Sequence, residues 1–456
     1  MSFFALDVLR RALQTQQRGM EVTGHNVANV NTPGYTRQEP VITTLPPTGG
    51  TLLLGTGNTI PRIRQYRDVF IEQQIRTQGQ TLAEQKVRRD MFGQVETIFP
   101  EPSPNGLGTL LGQFWNAWQE LSLNPESTAA RVGLLEEAQT MAAAIRQAYD
   151  QMEDLREQLD TVAVGNVQNI NDLAEQIAAL NTQIARLEVS GQRANDLRDR
   201  RGVLLGEMAE MAGVIATEND VGELLVYLQG RQLVGPGGGT TTIETVDGGS
   251  GGFTTFQWPD GGTLSVSKGA LAANLTGRDT DIPALQAELD DLADGLISEV
   301  NALHSAAYTL ESPTATGVDF FTGSGASDID VTAAIKADVR KIAASATGEP
   351  GDGAAAVQIA QLRRSKVMEG GTATIDDVYR GMVARVGVEA RDAERQVSNQ
   401  ELLLNQLKQR REAASGVSLD EEMTNMLRYQ RAYEAAARMV SAVDEMLQIL
   451  LREMGR

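Results

Sequence analysis

The chain has 456 residues, 60 acidic against 40 basic side chains for a formal net charge of −20, 41% hydrophobic residues and no cysteine. At roughly 100–200 residues per domain this length holds two to four domains, so core size is not limiting. The missing cysteine excludes disulfides, thiolate metal sites and cysteine catalysis, and the acidic excess argues against a partner made of nucleic acid.

Aromatic residues are only 5% of the chain, which leans towards long helices packed through small side chains. No run approaches ~18 uncharged apolar residues, so no membrane insertion is expected. The first residues, Met1-Ser2-Phe3-Phe4-Ala5-Leu6-Asp7, lack the basic and apolar regions of a cleavable secretory signal.

Leu6, Leu13, Met20 and Val27 recur every seven residues, with Leu9, Gln16, Thr23 and Val30 on the neighbouring line. This heptad stripe predicts a helix that lies along another helix. It stops at Asn29-Val30-Asn31-Thr32-Pro33-Gly34, where proline ends the hydrogen-bond ladder and glycine opens a turn. After a proline-rich break at Pro100 to Pro104, Trp115 and Trp118 sit three apart on a short helix as packing residues. Residues 126–190 carry Ile170, Leu173, Ile177, Leu180, Ile184 and Leu187 at alternating spacings of three and four, suited to a coiled-coil-like pair.

At about residue 213 the composition changes. Short β-prone runs (Glu223 to Leu228, Thr240 to Val246, Phe253 to Trp258, Thr263 to Ser267) alternate with glycine-rich breaks, predicting a small β domain inserted in a helical frame. A helix follows over 282–307. The Ala-, Gly-, Ser- and Thr-rich stretch 311–355 reads as loops, and 376–414 as another long amphipathic helix. The last forty residues mirror the first: Leu419, Met426, Tyr433, Val440 and Leu447 are seven apart, with Tyr429, Ala436, Val443 and Leu450 between them. Ser418 and Glu421 have the spacing of a capping box. The pattern alone fits equally a bundle closed within the chain and helices that seek partners.

No catalytic constellation stands out. His25 and His304 lie far apart without neighbouring carboxylate clusters, and the glycine runs lack the Lys-Ser or Lys-Thr of a phosphate-binding loop. The acidic pairs Glu136-Glu137, Asp290-Asp291 and Glu421-Glu422 read as solvated helix faces, and nothing singles out two carboxylates for glycoside hydrolysis. Neither a cofactor nor a metal is expected, and the chain is not expected to be an enzyme.

The segment His25-Asn26-Val27-Ala28-Asn29-Val30-Asn31-Thr32-Pro33-Gly34-Tyr35-Thr36-Arg37-Gln38 closely resembles the N-terminal motif of the bacterial flagellar axial proteins, the family of rod, hook and hook-associated proteins. Its motif positions are Asn26, Asn29, Asn31, Thr32, Pro33, Gly34 and Tyr35. The Thr36-Arg37-Gln38 continuation is similar to the hook-associated branch. So is the C-terminal segment Ser415-Gly416-Val417-Ser418-Leu419-Asp420-Glu421-Glu422, followed by Tyr429-Gln430-Arg431-Ala432-Tyr433-Glu434. In the interior, Asn195-Asp196-Leu197-Arg198-Asp199, Asn301-Ala302-Leu303-His304 and Asp319-Phe320-Phe321 match as well, so the resemblance covers nearly the whole chain.

The resemblance implies a mainly α protein with an inserted small β domain, in three parts. Residues 1–33 and 416–456 would form an inner, assembly-dependent coiled-coil layer. Residues 34–212 and 280–415 would form a long antiparallel helical bundle, and 213–279 an outer β domain. The further outer domain of longer family members is expected to be missing.

The implied function is that of a structural adaptor joining hook to filament, outside the cell and exported without a cleaved signal. Its implied partners are copies of itself, the hook protein, a second junction protein (hook-associated protein 3) and a cytoplasmic export chaperone at the C-terminal helix. The N-terminal assembly seam would be Leu6, Leu9, Leu13, Met20, Val27 and Val30. The C-terminal seam, shared with the chaperone, would be Leu419, Met426, Tyr429, Tyr433, Val440, Val443, Leu447 and Leu450. The alternatives are a hook or distal rod protein sharing both ends, a wall hydrolase carried on an axial scaffold, and an unrelated coiled-coil scaffold that would leave the Asn-Thr-Pro-Gly-Tyr motif unexplained.

Overall fold

The computed structural model describes residues 2–47, 55–189, 191–248, 252–311 and 314–454. The chain opens with the helix α1 (Ser2–Ala28). A hairpin that the sequence reading placed within the helical bundle comes next, β1 (Gln38–Thr44) paired antiparallel with β2 (Asn58–Gln65). Its β-branched run Val41-Ile42-Thr43-Thr44 and Pro40, set opposite Ile63, favour extended backbone. Two strands alone are marginal, and this pair is held by packing on α1.

The body is built on long helices: α2 (Val69–Ile98), α3 (Leu107–Leu123), α4 (Thr128–Glu188) and α5 (Asn195–Met211). Asp68 caps α2 by accepting the Phe70 and Ile71 amides, and Ser127 caps α4 by accepting that of Ala130. The α4 helix is 61 residues long and buries one line from Leu134 to Ile184. It does not pair with a single helix as its periodicity suggested. It crosses two cores in turn, because successive neighbours cover the same stripe.

The second of these cores contains the β module. Strands β3 (Val214–Glu218), β4 (Leu224–Leu228) and β5 (Arg231–Val234) form an antiparallel sheet in that order. A separate pair, β6 (Glu244–Val246) and β7 (Thr255–Gln257), lies beside it. Val226, Leu228, Val234, Phe256 and Trp258 pack against Val167, Ile170 and Ile177 of α4.

The chain returns through α6 (Gly269–Thr276), a π-helical turn and α7 (Ile282–Ala306). The stretch read as loops holds β8 (Phe321–Thr322), β9 (Asp330–Val331), α8 (Ala333–Ala337) and α9 (Ala354–Gln361). Its regular elements are short, yet Phe320, Phe321, Ile329, Ile335 and Ile342 are buried in the main core with Phe114, Trp115 and Trp118 of α3. In the helix α10 (Ile375–Ser415) Thr374 and Asp377 form a full capping box, and α10 lies along α2. The last helix, α11 (Leu419–Met454), runs back along α1. No described helix is long and apolar enough to cross a membrane.

Candidate assembly site at the junction of the chain ends

α1 and α11 are antiparallel. Asn26 meets Glu422, the Gly24 backbone faces the Met426 side chain, and a Cβ placed on Gly19 would lie 2.8 Å from the Tyr429 ring. The ring of Tyr429, itself buried, thus fills a hole that only glycine leaves.

At the open end of this pair the N-terminal motif becomes a polar knot. Asn26 is 1% exposed and fully satisfied. Its Nδ2 donates to the Gln38 carbonyl (2.8 Å) and Glu422 (3.1 Å), and its Oδ1 accepts the Gln38 amide (3.0 Å) and the Tyr35 hydroxyl (2.7 Å). Arg37 donates from Nε to Glu422 (2.8 Å) and from an Nη to Glu421 (2.7 Å), and its amide donates to the Ser415 carbonyl. Two expectations change here. Of the acidic pair Glu421-Glu422 read as a solvated face, Glu421 is exposed but Glu422 is 2% exposed, and the Glu421 carboxylate that the capping box would have used is held by Arg37.

The knot also ties α5. The amide and hydroxyl of Thr36 both donate to Asp199 (2.8 and 2.9 Å), and burial raises the Asp199 carboxyl to about 6. Gln38 bridges Asp196 and Asn195, while the exposed His25 ring lies 3.2 Å from Asp196 and edge-on to Tyr35. Burial, then the charges of Asp196 and Asp199, push the Tyr35 hydroxyl up, so it stays a neutral donor. Gly34 adopts φ +78°, and a Cβ there would lie 2.3 Å from Val203 of α5. A groove of about 540 Å³ lined by Thr23, Arg37, Tyr66, Glu421, Arg428 and Tyr429 opens beside the knot.

The motif residues divide accordingly. Asn26, Gly34 and Tyr35 build the knot; Asn29 binds the His25 carbonyl and takes the Thr32 hydroxyl; Asn31, Thr32 and Pro33 are exposed in the turn. Of the N-terminal seam residues Leu9 is buried, and Leu6, Leu13, Met20, Val27 and Val30 are half-buried. Of the C-terminal seam Tyr429 is buried, Met426, Val440, Val443 and Leu447 are half-buried, and Leu419, Tyr433 and Leu450 are exposed. Sequence reasoning did not single out Thr36, Arg37, Gln38, Asp196, Asp199 and Glu422 as site residues. Their signal was the polar character of three motif segments that had no partner until the fold brought them together. Among the described residues no group of three His, Asp or Glu gathers as a metal ion would require.

Such ends, tied to each other and to a helical body, define the class of flagellar axial proteins. Residues 6–36 match the family described as flagella basal body rod protein, and 408–453 the flagellar basal body rod FlgEFG protein C-terminal family. Residues 92–321, half of the chain, match the helical domain of the flagellar hook-associated protein FlgK, and the chain belongs to that family.

The chain is 29% identical to flagellar hook-associated protein 1 of Bacillus subtilis, over all of this chain and 99% of that protein. It is 22% identical to its namesake in Escherichia coli, over 96% and 97% of the two chains. A solved structure titled as the flagellar hook junction protein FlgK from Burkholderia pseudomallei shares the fold. Its TM-score is 0.64 at 16% identity, over 76% of this chain and all of that one. The protein is therefore a structural component of the flagellum.

Proposed function

We propose that the chain joins hook to filament by polymerising at the hook tip, with α1 and α11 as the innermost layer. In this reading the helical body forms the next layer and the β module at 213–279 the outermost, with no further outer domain. The observation that carries it is the apolar surface that α11 leaves uncovered: Met439, Met446, Leu450 and Leu451 are each more than half exposed. A helix that buries one side on α1 and keeps this second apolar side bare has room for neighbours. The seams on α1 and α11 supply the self-contacts. Hook protein on one side and the second junction protein on the other are the axial partners, outside the cell.

Before export the C-terminal helix is the part a cytoplasmic chaperone would cover, and its methionines suit two successive partners. A cysteine-free chain presents no disulfide to an export channel that passes unfolded protein. The knot is a structural device, and the role proposed for the chain is structural. The test is to add purified chain to isolated hooks that lack it and then supply the second junction protein. Wild type is expected to cap the hooks and recruit that protein, while a folded Met439→Ser, Met446→Ser, Leu450→Ser variant is expected to do neither. Equal capping by the variant would overturn the reading.

A further inference from the structure

The two longest helices of the body have solvent-facing poles of opposite character. On α10 the line opposite its buried residues runs through Gly381, Ala384, Val388, Arg391, Arg395, Leu402 and Ala413, all exposed. Between Gly381 and Ala413 this line holds no acidic residue, in a chain of net charge −20. Val388 is 53% and Leu402 71% exposed, and the small residues at 381, 384 and 413 leave room for a helix to approach closely. Arg391 is bound only to the Gly387 carbonyl of its own helix, and Arg395 to Asp392.

On α4 the corresponding pole carries Glu136, Asp150, Asp154 and Asp172, all exposed, with no basic residue on the line between them. Among the described residues none of these four carboxylates has an ion-pair or side-chain hydrogen-bond partner. α7 packs against both α4 and α10, and each pole lies opposite the buried line of its own helix.

We propose that the α10 pole of one copy seats the α4 pole of the next copy. The contact rests on the polymerising role argued above and gives that layer a lateral surface. Because the two surfaces differ, the contact is head-to-tail, the kind that closes into rings or continues as a helix instead of stopping at a dimer. The occupant is argued from charge: the four unpaired carboxylates on the α4 pole complement the arginines of an α10 line that carries no acidic side chain from Gly381 to Ala413.

The test uses the full chain with two sets of surface reversals, Asp150→Lys, Asp154→Lys, Asp172→Lys on α4 and Arg391→Glu, Arg395→Glu on α10. Circular dichroism melts confirm folding, and sedimentation gives the concentration at which each assembles. Each set alone is expected to raise that concentration at least ~tenfold, since like charges then face each other. Mixing the two variants in equal amounts, or combining both sets in one chain, is expected to restore it. Assembly at the wild-type concentration by either single set would overturn the proposal, as would loss that neither mixing nor combination repairs. The Met439→Ser, Met446→Ser, Leu450→Ser variant run in parallel separates the two readings. If it fails to assemble while the reversed chains succeed, this surface falls and the terminal-helix reading stands. If it assembles normally, the terminal-helix reading falls on its own.

Discussion

At the residue scale the junction depends on positions where one side chain, or none, satisfies two constraints together. Gly34 must adopt a left-handed backbone and must leave space for Val203. Gly34→Ala is expected to destabilise the body by about 1–3 kcal/mol, measurable by urea denaturation. Adding Val203→Ala should recover the steric part and leave the roughly 1 kcal/mol that belongs to the backbone conformation.

His304 is the other decisive residue. Its Nδ1 donates to the Val318 carbonyl (2.6 Å), its Nε2 accepts the Ala343 amide (2.8 Å), and its ring lies against Trp118 and Phe320. Burial lowers its pKa from 6.5 to about 4, helped by the nearby Arg131 guanidinium. The folded value is depressed, so the stability it contributes is present above pH 6.5 and is lost as the pH falls towards 4. A proton on Nε2 would also face an N–H donor. The Asp199 carboxyl, which burial raises to about 6, contributes with the opposite sign over the same range, so the His304 contribution is read against His304→Gln, which cannot titrate. Wild type should be the more stable at neutral pH, and its margin over the variant should shrink by roughly 3 kcal/mol between pH 6.5 and 4, measured by urea denaturation at each pH.

At the element scale the terminal pair shows how heptads are specified. Its apolar stripes are diluted by Gln16, Thr23 and Ala436, and what fixes the alignment is a steric fit and a polar one: Tyr429 over Gly19, and Asn26 with Arg37 on Glu422. A buried polar contact costs stability yet discriminates sharply against misaligned pairings, where it would go unsatisfied. Gly19→Leu should push the Tyr429 ring out and separate the two helices locally. Amide exchange along residues 9–26 and 426–440 is expected to speed up at least ~tenfold, with exchange in the body unchanged. Equal protection in the variant would mean that the ring does not set the pairing.

Across the whole molecule, α1 packs on α11 and on the hairpin, and the knot of Thr36, Arg37, Gln38, Asp196 and Asp199 ties them to the body. The body itself has two large apolar cores, both crossed by α4 and bridged as well by the packing of α2 on α5 and α6. Limited proteolysis of dilute chain should therefore remove the ends first and leave a fragment near residues 35–415, read by intact mass. Ends that resist as long as the body would show the terminal pair to be as stable as the cores.

The sequence by itself determined the helices at both ends, the long amphipathic helices between them, the glycine-punctuated β module and the motif segments, because each is written in local periodicity or in residues that interrupt it. Only the tertiary structure decided the rest. The hairpin at 38–65 has too weak a pattern and needs α1 beneath it. The stretch 311–355 looks like loops until Phe320 and Phe321 meet the α3 aromatics. Glu422, a surface carboxylate by its helical spacing, is buried because Asn26 and Arg37 arrive from nearly four hundred residues away. Spacing along a chain reports which face of an element is apolar; it carries no information on which distant polar group will cross that face, and the site of this protein is made of such crossings.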